Sequence, residues 1–111
     1  MPVRIEKDKH LTTAYLSGEI DHHSAAPIRE EIDSVVSALA PQELCLDFMN
    51  VSFMDSSGIG LVMGRYKLVS ALGGKMRVRG VSRSAMKVMK LAGLDLLAKI
   101  DCKDTQGRTG K

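Results

Sequence analysis

Aromatic residues are scarce in this sequence, which has no tryptophan, two tyrosines and two phenylalanines among its 111 residues. Proteins that bind nucleic acid strands use such side chains as stacking platforms. The formal net charge is only +3, and the lysines and arginines are scattered among acidic residues instead of forming a basic patch. The composition therefore predicts that nucleic acid is not a partner.

Long apolar runs are also lacking. No segment approaches the roughly 18 consecutive apolar residues that a membrane-spanning helix requires. The amino-terminal segment, MPVRIEKDKH, contains no apolar core of the kind found in signal peptides. We therefore expect a cytoplasmic protein without a membrane partner.

Metal ligands and disulfide patterns are missing as well. The two cysteines, Cys45 and Cys102, have no spacing that suggests a metal site, and a reducing compartment would leave both as thiols. His22 and His23 are adjacent, so their side chains do not converge, and no third ligand is spaced to join them. We therefore expect neither a metal nor another cofactor.

The length and the many aliphatic residues suit one domain with a single core. Hydrophobic periodicity predicts an opening hairpin of two strands, at residues 3–5 and 11–16, and then alternating helices and strands. The second strand is expected to end within residues 17–20. In chain order these helices and strands are a helix capped by Ser24 and stopped by Ala40 and Pro41, a strand at 44–48, a helix at 58–72, a strand at Lys75–Val81, a helix capped by Ser82 and closed by Gly93, and a last strand at 94–100. The expected fold is α/β, with a mixed sheet of about five strands and three or more helices packed on it.

Three details of this fold follow from the same pattern. The strand at 44–48 is apolar at most positions and is expected at the centre of the sheet. From Asp101 onward the sequence DCKDTQGRTGK has almost nothing to bury, so we expect a domain of residues 1–100 and a polar, disordered tail of residues 101–111. The helix after Ser82 is expected to face the sheet with Ala85, Met86, Val88, Met89 and Ala92.

The outward face of the helix at 58–72 is small or softly apolar instead of charged. Steps of about 100° per residue place Gly60, Met63, Gly64, Lys67, Ser70 and Ala71 on this face, with Ile59 at its border, and Leu61, Val62, Tyr66, Leu68, Val69 and Leu72 on the core side. A glycine inside a helix costs roughly 0.5 to 1 kcal/mol relative to alanine. Gly60 and Gly64 could clear a flat strip for another chain, or they could admit a loop of the same domain.

Arg65 falls in the apolar arc, where its head either reaches water or pairs with an acid.

The polar segment Asp55-Ser56-Ser57-Gly58 lies between a strand and this helix. Backbone N–H groups and the helix dipole favour negative charge at such a place. Only one of the three polar residues can cap the helix, which leaves the others unexplained. A serine here is exposed and can accept a phosphate, which adds about −1.5 to −2 charge.

Two other chemistries also place a serine at the start of a helix. A hydrolytic serine needs a base and a nucleophile elbow, but Met54 stands where the elbow requires glycine. A phosphopantetheine carrier would present an Asp-Ser pair, but such carriers are typically acidic and all-helical, whereas this chain is basic and rich in predicted strands. A phosphorylation switch is the third possibility, and the sequence favours it over these two, so we do not expect an enzyme.

The sequence FMDSSGIGLVMGRYK, at residues 53–67, closely resembles the anti-sigma factor antagonists of the STAS domain family, in particular the sporulation sigma-F type. The motifs GEIDHH at 18–23 and LAGL at 91–94 extend the resemblance, which runs from about Val3 to Ile100. It implies a single STAS-like domain that binds, in its unmodified form, an anti-sigma factor that is also an ATP-dependent serine kinase. Relatives usually carry a further amphipathic helix after the last strand, and here the residues from 101 onward are too few and too polar for a full one.

The resemblance also implies the site residues. The kinase phosphorylates the serine directly after the aspartate, which is Ser56 here, and a serine phosphatase reverses the modification. Together with the outward face of the helix, the resemblance implies a partner-binding surface of Asp21, His22, His23, Asp55, Ser56, Ser57, Gly58, Ile59, Gly60, Met63, Gly64 and Lys67. A STAS adaptor of another signalling or transport complex, with an unregulated serine, remains an alternative.

Overall fold

The computed structural model describes residues 3–8 and 10–103. Five strands and three α-helices follow one another along this part of the chain. In order they are β1 (Val3–Glu6), β2 (Leu11–Ile20), α1 (His22–Leu39), β3 (Glu43–Met54), α2 (Ser56–Ala71), β4 (Lys75–Val81), α3 (Arg83–Leu91) and β5 (Lys99–Cys102).

The strands form one mixed sheet in the order β1-β2-β3-β4-β5. β1 and β2 are antiparallel, and each later pair of neighbours is parallel and joined by a helical crossover. The predicted hairpin, the mixed sheet and the central position of β3 are confirmed. β2 ends at Ile20, within the predicted range, whereas β3 runs on to Met54 and α2 begins at Ser56, so these two elements differ from prediction at their ends.

The core lies on one face of the sheet. Ala14 pairs with Leu46, and Leu46 pairs with Val78, so fully buried apolar side chains continue across three strands. The helices add their buried residues to this same cluster: Ile28, Ile32 and Val36 from α1, Leu61, Val62 and Val69 from α2, and Met89 from α3. The domain therefore has two layers, and both α1 and α2 are fixed against the strands that precede them.

The opposite face of the sheet is polar. Tyr15 pairs with Asp47, which pairs with Arg79, and the Nε atom of Arg79 donates a 2.7 Å hydrogen bond to Oδ2 of Asp47. This hydrogen bond raises the pKa of Arg79 above its ordinary value. The guanidinium of Arg4 lies 4.1 Å from the centre of the Tyr15 ring. Long charged side chains therefore cover the strands on the side without helices.

Three expectations about helices were wrong. Ser24 does not cap α1: Asp21 does, and Ser24 is the third residue of the helix, where its hydroxyl accepts a hydrogen bond from the Asp21 N–H in a capping box. Val88 is 44% exposed and Ala92 is exposed, so α3 covers the core mainly with Met89. Leu72, expected in the core, is 41% exposed because α2 ends one residue before it.

The last strand also begins later than expected. Gly93 has a φ of +80°, and residues 94–96 form a single 3-10 turn instead of a strand. Asp101 and Cys102, which were assigned to the tail, belong to β5, and Cys102 pairs with Val81 of β4. The rest of the expected tail, residues 104–111, lies outside the described residues.

Candidate functional site

The site is built where two parallel strands end side by side. Ile20, the last residue of β2, pairs with Met54, the last residue of β3. The Asp55 N–H donates a 3.1 Å hydrogen bond to the Ile20 carbonyl, which ties the two strand ends together. α1 and α2 therefore begin next to each other, at the carboxyl edge of the sheet, where α/β domains commonly place their functional groups.

An aspartate caps each of these helices. Oδ1 of Asp21 accepts hydrogen bonds from the N–H groups of His23, at 3.0 Å, and Ser24, at 2.9 Å. The Ser24 bond is the main reason that the pKa of Asp21 lies below its ordinary value. Oδ1 of Asp55 accepts from the Ser57 N–H at 2.8 Å. Both carboxylates are therefore occupied by backbone amides.

Ser56 is left free by this arrangement. Because Asp55 fills the cap position, Ser56 becomes the first residue of α2, where it is exposed. Its hydroxyl makes no hydrogen bond to any residue that the structure describes. Helix capping thus explains Asp55 and leaves an unengaged hydroxyl at the positive end of a 16-residue helix.

Among the described residues, no base is positioned to activate this hydroxyl. His22 and His23 are exposed in the first turn of α1, with their ring centres 5.7 Å apart, and neither is hydrogen bonded to a serine within residues 10–103. A nucleophilic serine requires a base within hydrogen-bonding distance. The described geometry therefore gives no support to a hydrolase.

Gly58 allows the helix to begin close to the end of β3. A Cβ atom at this position would lie 2.6 Å from Sδ of Met54. The glycine thus lets the Met54 side chain pack under the first turn of α2. Gly58 itself is buried, and its predicted part in partner binding stays a prediction.

The outward face of α2 is open. A Cβ atom at Gly60 or Gly64 would meet no described atom within 4 Å. The idea that these glycines admit a loop of the same domain is therefore wrong for the described part of the chain. Ile59 and Met63 are half-buried beside them, and Lys67 is exposed at the far end. We call these five residues, Ile59, Gly60, Met63, Gly64 and Lys67, the glycine strip; it begins one turn beyond Ser56.

Arg65 takes the second of its two predicted alternatives and pairs with an acid. It is 6% exposed, and its Nε atom lies 2.8 Å from Oδ1 of Asp33 on α1. Burial is the main cause that lowers the pKa of Arg65, and Asp33 acts against it. This ion pair joins the two helices that carry the site.

One exposed apolar group next to the site was not predicted. β3 pairs with β4 only from Glu43 to Asp47, so its last residues extend beyond that neighbour. Phe53 is consequently 54% exposed, and it lines a hollow of about 450 Å³ together with Met54 and Val88. The greater length of β3 relative to β4 would have predicted that Phe53 is exposed. The sequence pattern did not show where β3 ends, so this residue was missed.

The thiols and the acidic residues offer no further chemistry. Cys45 is buried, which raises the pKa of its thiol, and Cys102 is half-buried without a disulfide partner. Among residues 3–8 and 10–103, no group of histidine, cysteine and acidic side chains is arranged to hold a metal ion. In the same part of the chain, every helix is too short or too polar to cross a membrane.

The two-layer fold and the paired, aspartate-capped helix starts define a small α/β domain of the STAS type. The model of the STAS domain family matches residues 2–105. The chain therefore belongs to the STAS domain family, as its motifs had indicated.

Three similar proteins illustrate the match. An anti-sigma F factor antagonist of Paenibacillus polymyxa is 35% identical over 96 residues, which cover 85% of this chain and 82% of the relative. The structure of the anti-sigma factor antagonist SpoIIAA in its unphosphorylated form has a TM-score of 0.78 at 30% identity, covering 94% of this chain and 91% of that one. The structure of the Bacillus cell fate determinant SpoIIAA in the phosphorylated form has a TM-score of 0.72 at 28% identity, covering 98% and 99%.

Proposed function

We propose that this protein is an anti-sigma factor antagonist that is switched by phosphorylation of Ser56. In the unmodified form it binds an anti-sigma factor that is also an ATP-dependent serine kinase, and a sporulation sigma factor is released. The kinase modifies Ser56 in the cytoplasm, and a serine phosphatase restores the active form. The protein itself acts as a binding regulator and a phosphorylation substrate.

One observation carries this proposal: the exposed, unengaged hydroxyl of Ser56 beside an aspartate that already caps the helix. A capping serine would have to give up its hydrogen bond before it could react. Ser56 has no such bond to lose within the described structure, so a kinase can reach it without disturbing α2. The relatives add support, because one is an anti-sigma F factor antagonist and SpoIIAA is known in unphosphorylated and phosphorylated forms.

The proposed partner surface surrounds this hydroxyl. It consists of the start of α1 (Asp21, His22 and His23), the start of α2 (Asp55, Ser56, Ser57 and Gly58) and the glycine strip. The bond between Asp55 and Ile20 holds the first two parts together, and α2 continues rigidly into the third. Because Gly60 and Gly64 present no side chain, a partner can approach the helix backbone closely.

A phosphate on Ser56 would then oppose binding directly. It would add about −1.5 to −2 charge at the centre of the proposed surface, next to the carboxylates of Asp21 and Asp55. A partner that fits the small serine hydroxyl meets both extra volume and extra negative charge. The switch therefore needs no rearrangement of the domain.

Phosphorylation by the cognate anti-sigma factor kinase tests this function. We expect labelled ATP to modify the wild type and Ser57→Ala but not Ser56→Ala, because Ser57 is half-buried while Ser56 is exposed. Ser57→Ala is the matched control, since it removes the neighbouring hydroxyl and leaves the Asp55 cap intact. Label that persists in Ser56→Ala would refute the site.

The same experiment separates the alternatives. If the cognate kinase binds the protein but modifies neither serine, the protein is a STAS adaptor without a regulated serine. A phosphopantetheine carrier would instead gain the mass of that arm in cells, and its expected all-helical fold disagrees with the five strands described here.

A further inference from the structure

A groove of about 320 Å³ lies between α1 and α2, on the side of Ser57 instead of Ser56. Arg29 and His22 of α1 line one wall, and Ser57, Gly60 and Arg65 of α2 line the other. None of the functional steps proposed above uses the two arginines. The groove shares His22, Ser57 and Gly60 with the proposed partner surface, but its two arginines need an explanation of their own.

Arg65 is the unusual residue in this groove. Its side chain is only 7% exposed, and its Nη1 atom has no hydrogen-bond partner in the described structure. Nε lies 2.8 Å from Oδ1 of Asp33, but neither of these two buried atoms makes an aligned hydrogen bond with a described residue, so the pair is held mainly by charge. A buried guanidinium with unsatisfied donors is unfavourable unless a further acceptor is supplied.

The charge balance around the groove points the same way. Arg29 is close enough to Arg65 to lower its pKa by repulsion. Asp33 lies one helical turn after Arg29, but its ion pair is with Arg65. The carboxylates of Asp21 and Asp55 accept hydrogen bonds from backbone amides of the helix starts. Arg29 is exposed and forms no ion pair with a carboxylate of the described residues.

We propose that the groove between α1 and α2 is a binding site for one oxyanion, a carboxylate or a phosphate group, held between Arg29 and Arg65. Ser57 also lines the groove, and its hydroxyl can serve as a neutral donor. Guanidinium groups match the planar or tetrahedral oxygens of such anions and can donate two parallel hydrogen bonds. The site is distinct from Ser56 and exists whether or not that serine is modified.

Thermal unfolding in the presence of small anions tests the site. Sodium phosphate and sodium acetate are compared with sodium chloride at equal ionic strength and pH. A ligand that binds only the folded protein raises the melting temperature with its concentration, and we expect a rise of about 3 °C for at least one of the two anions. A rise with phosphate alone or with acetate alone identifies the preferred oxyanion.

Arg29→Gln and Lys87→Gln form a matched pair of variants. Each removes one exposed positive charge, but Lys87 lies on α3, away from the groove. The anion effect should disappear in Arg29→Gln and persist in Lys87→Gln. Equal effects in both variants would show that the anion acts on overall charge and would overturn the site.

A second measurement replaces the free anion by a carboxylate that a substitution introduces into the protein. Gly60 lines the groove, and a side chain has room there. Gly60→Glu should melt about 3 °C above Gly60→Gln, and the difference should shrink at high salt and in the Arg29→Gln background. If neither free anions nor Gly60→Glu stabilise the domain, the proposal is wrong. No partner protein is needed, so that outcome leaves the proposed function intact.

Discussion

The Arg65–Asp33 pair gives the sharpest prediction, because its two members differ in exposure. The Arg65 side chain is 7% exposed and the Asp33 side chain is 34% exposed. Removing the acid leaves a buried cation unpaired, which costs about 3 kcal/mol or more in buried pairs. Removing the arginine leaves a carboxylate that water reaches in part, although its Oδ1 atom is buried. We therefore expect Asp33→Asn to destabilise the domain much more than Arg65→Met.

The magnitudes follow from this asymmetry. Asp33→Asn should lower the free energy of unfolding by about 2 to 3 kcal/mol, somewhat less than in a fully buried pair because Asp33 is partly solvated. Arg65→Met fills similar space with an apolar chain and should cost about 1 kcal/mol or less. The double variant should resemble Arg65→Met alone, since the unpaired cation is then absent.

Urea unfolding followed by far-ultraviolet circular dichroism measures all three variants, because the chain has no tryptophan to report by fluorescence. The slopes of the unfolding transitions should agree, so that the midpoints report stability alone. The reasoning fails if Arg65→Met costs as much as Asp33→Asn, or if the two costs simply add in the double variant.

Two further predictions concern glycines. Gly60→Ala should stabilise the domain by about 0.5 to 1 kcal/mol, because the new methyl group meets open space in a helix. Gly80→Ala should instead destabilise it by about 2 kcal/mol or more. Gly80 has a φ of +72°, and a Cβ atom there would lie 2.9 Å from the Met49 backbone nitrogen. Denaturant titration of both variants checks the contrast, which would be contradicted by a loss at Gly60. Gly64→Leu should weaken binding to the anti-sigma factor about tenfold or more, as measured by calorimetry. The melting temperature of this variant should stay at or above that of the wild type. Unchanged affinity would show that the glycine strip is not part of the interface.

The elements could be predicted because their signals are local. The alternation at Lys75–Val81 predicted a strand whose two ends are both confirmed. The apolar run at residues 44–48 predicted a central strand, and its position in the sheet is also confirmed. Ser82 caps α3 as expected, because a serine before a helical pattern has few other roles. Such features depend on neighbouring residues alone.

The errors arose where one element depends on another. Ser24 and Asp21 are both good caps, and α1 begins at the earlier one because Asp21 follows directly after the end of β2 at Ile20. The exposure of Phe53 depends on how far β4 accompanies β3, and the partner of Arg65 depends on how α1 packs beside α2. The exposure of Phe53 and the partner of Arg65 therefore depend on packing between elements, which the sequence alone did not show.

Phosphorylation of Ser56 should change binding and not folding. A phosphate at the first residue of α2 faces the helix amides, which favours it by about 0.3 to 1 kcal/mol, while the nearby Asp55 carboxylate opposes it by a similar amount. The net effect on stability should lie within about 1 kcal/mol, or about 5 °C in melting temperature for a domain of this size. Melting curves of the unmodified and phosphorylated forms, each also tested for binding to the anti-sigma factor, measure both quantities. If phosphorylation lowers the melting temperature by more than about 10 °C, the phosphate acts by destabilising the domain. Its charge and volume at the interface would then not be the main cause of the lost binding.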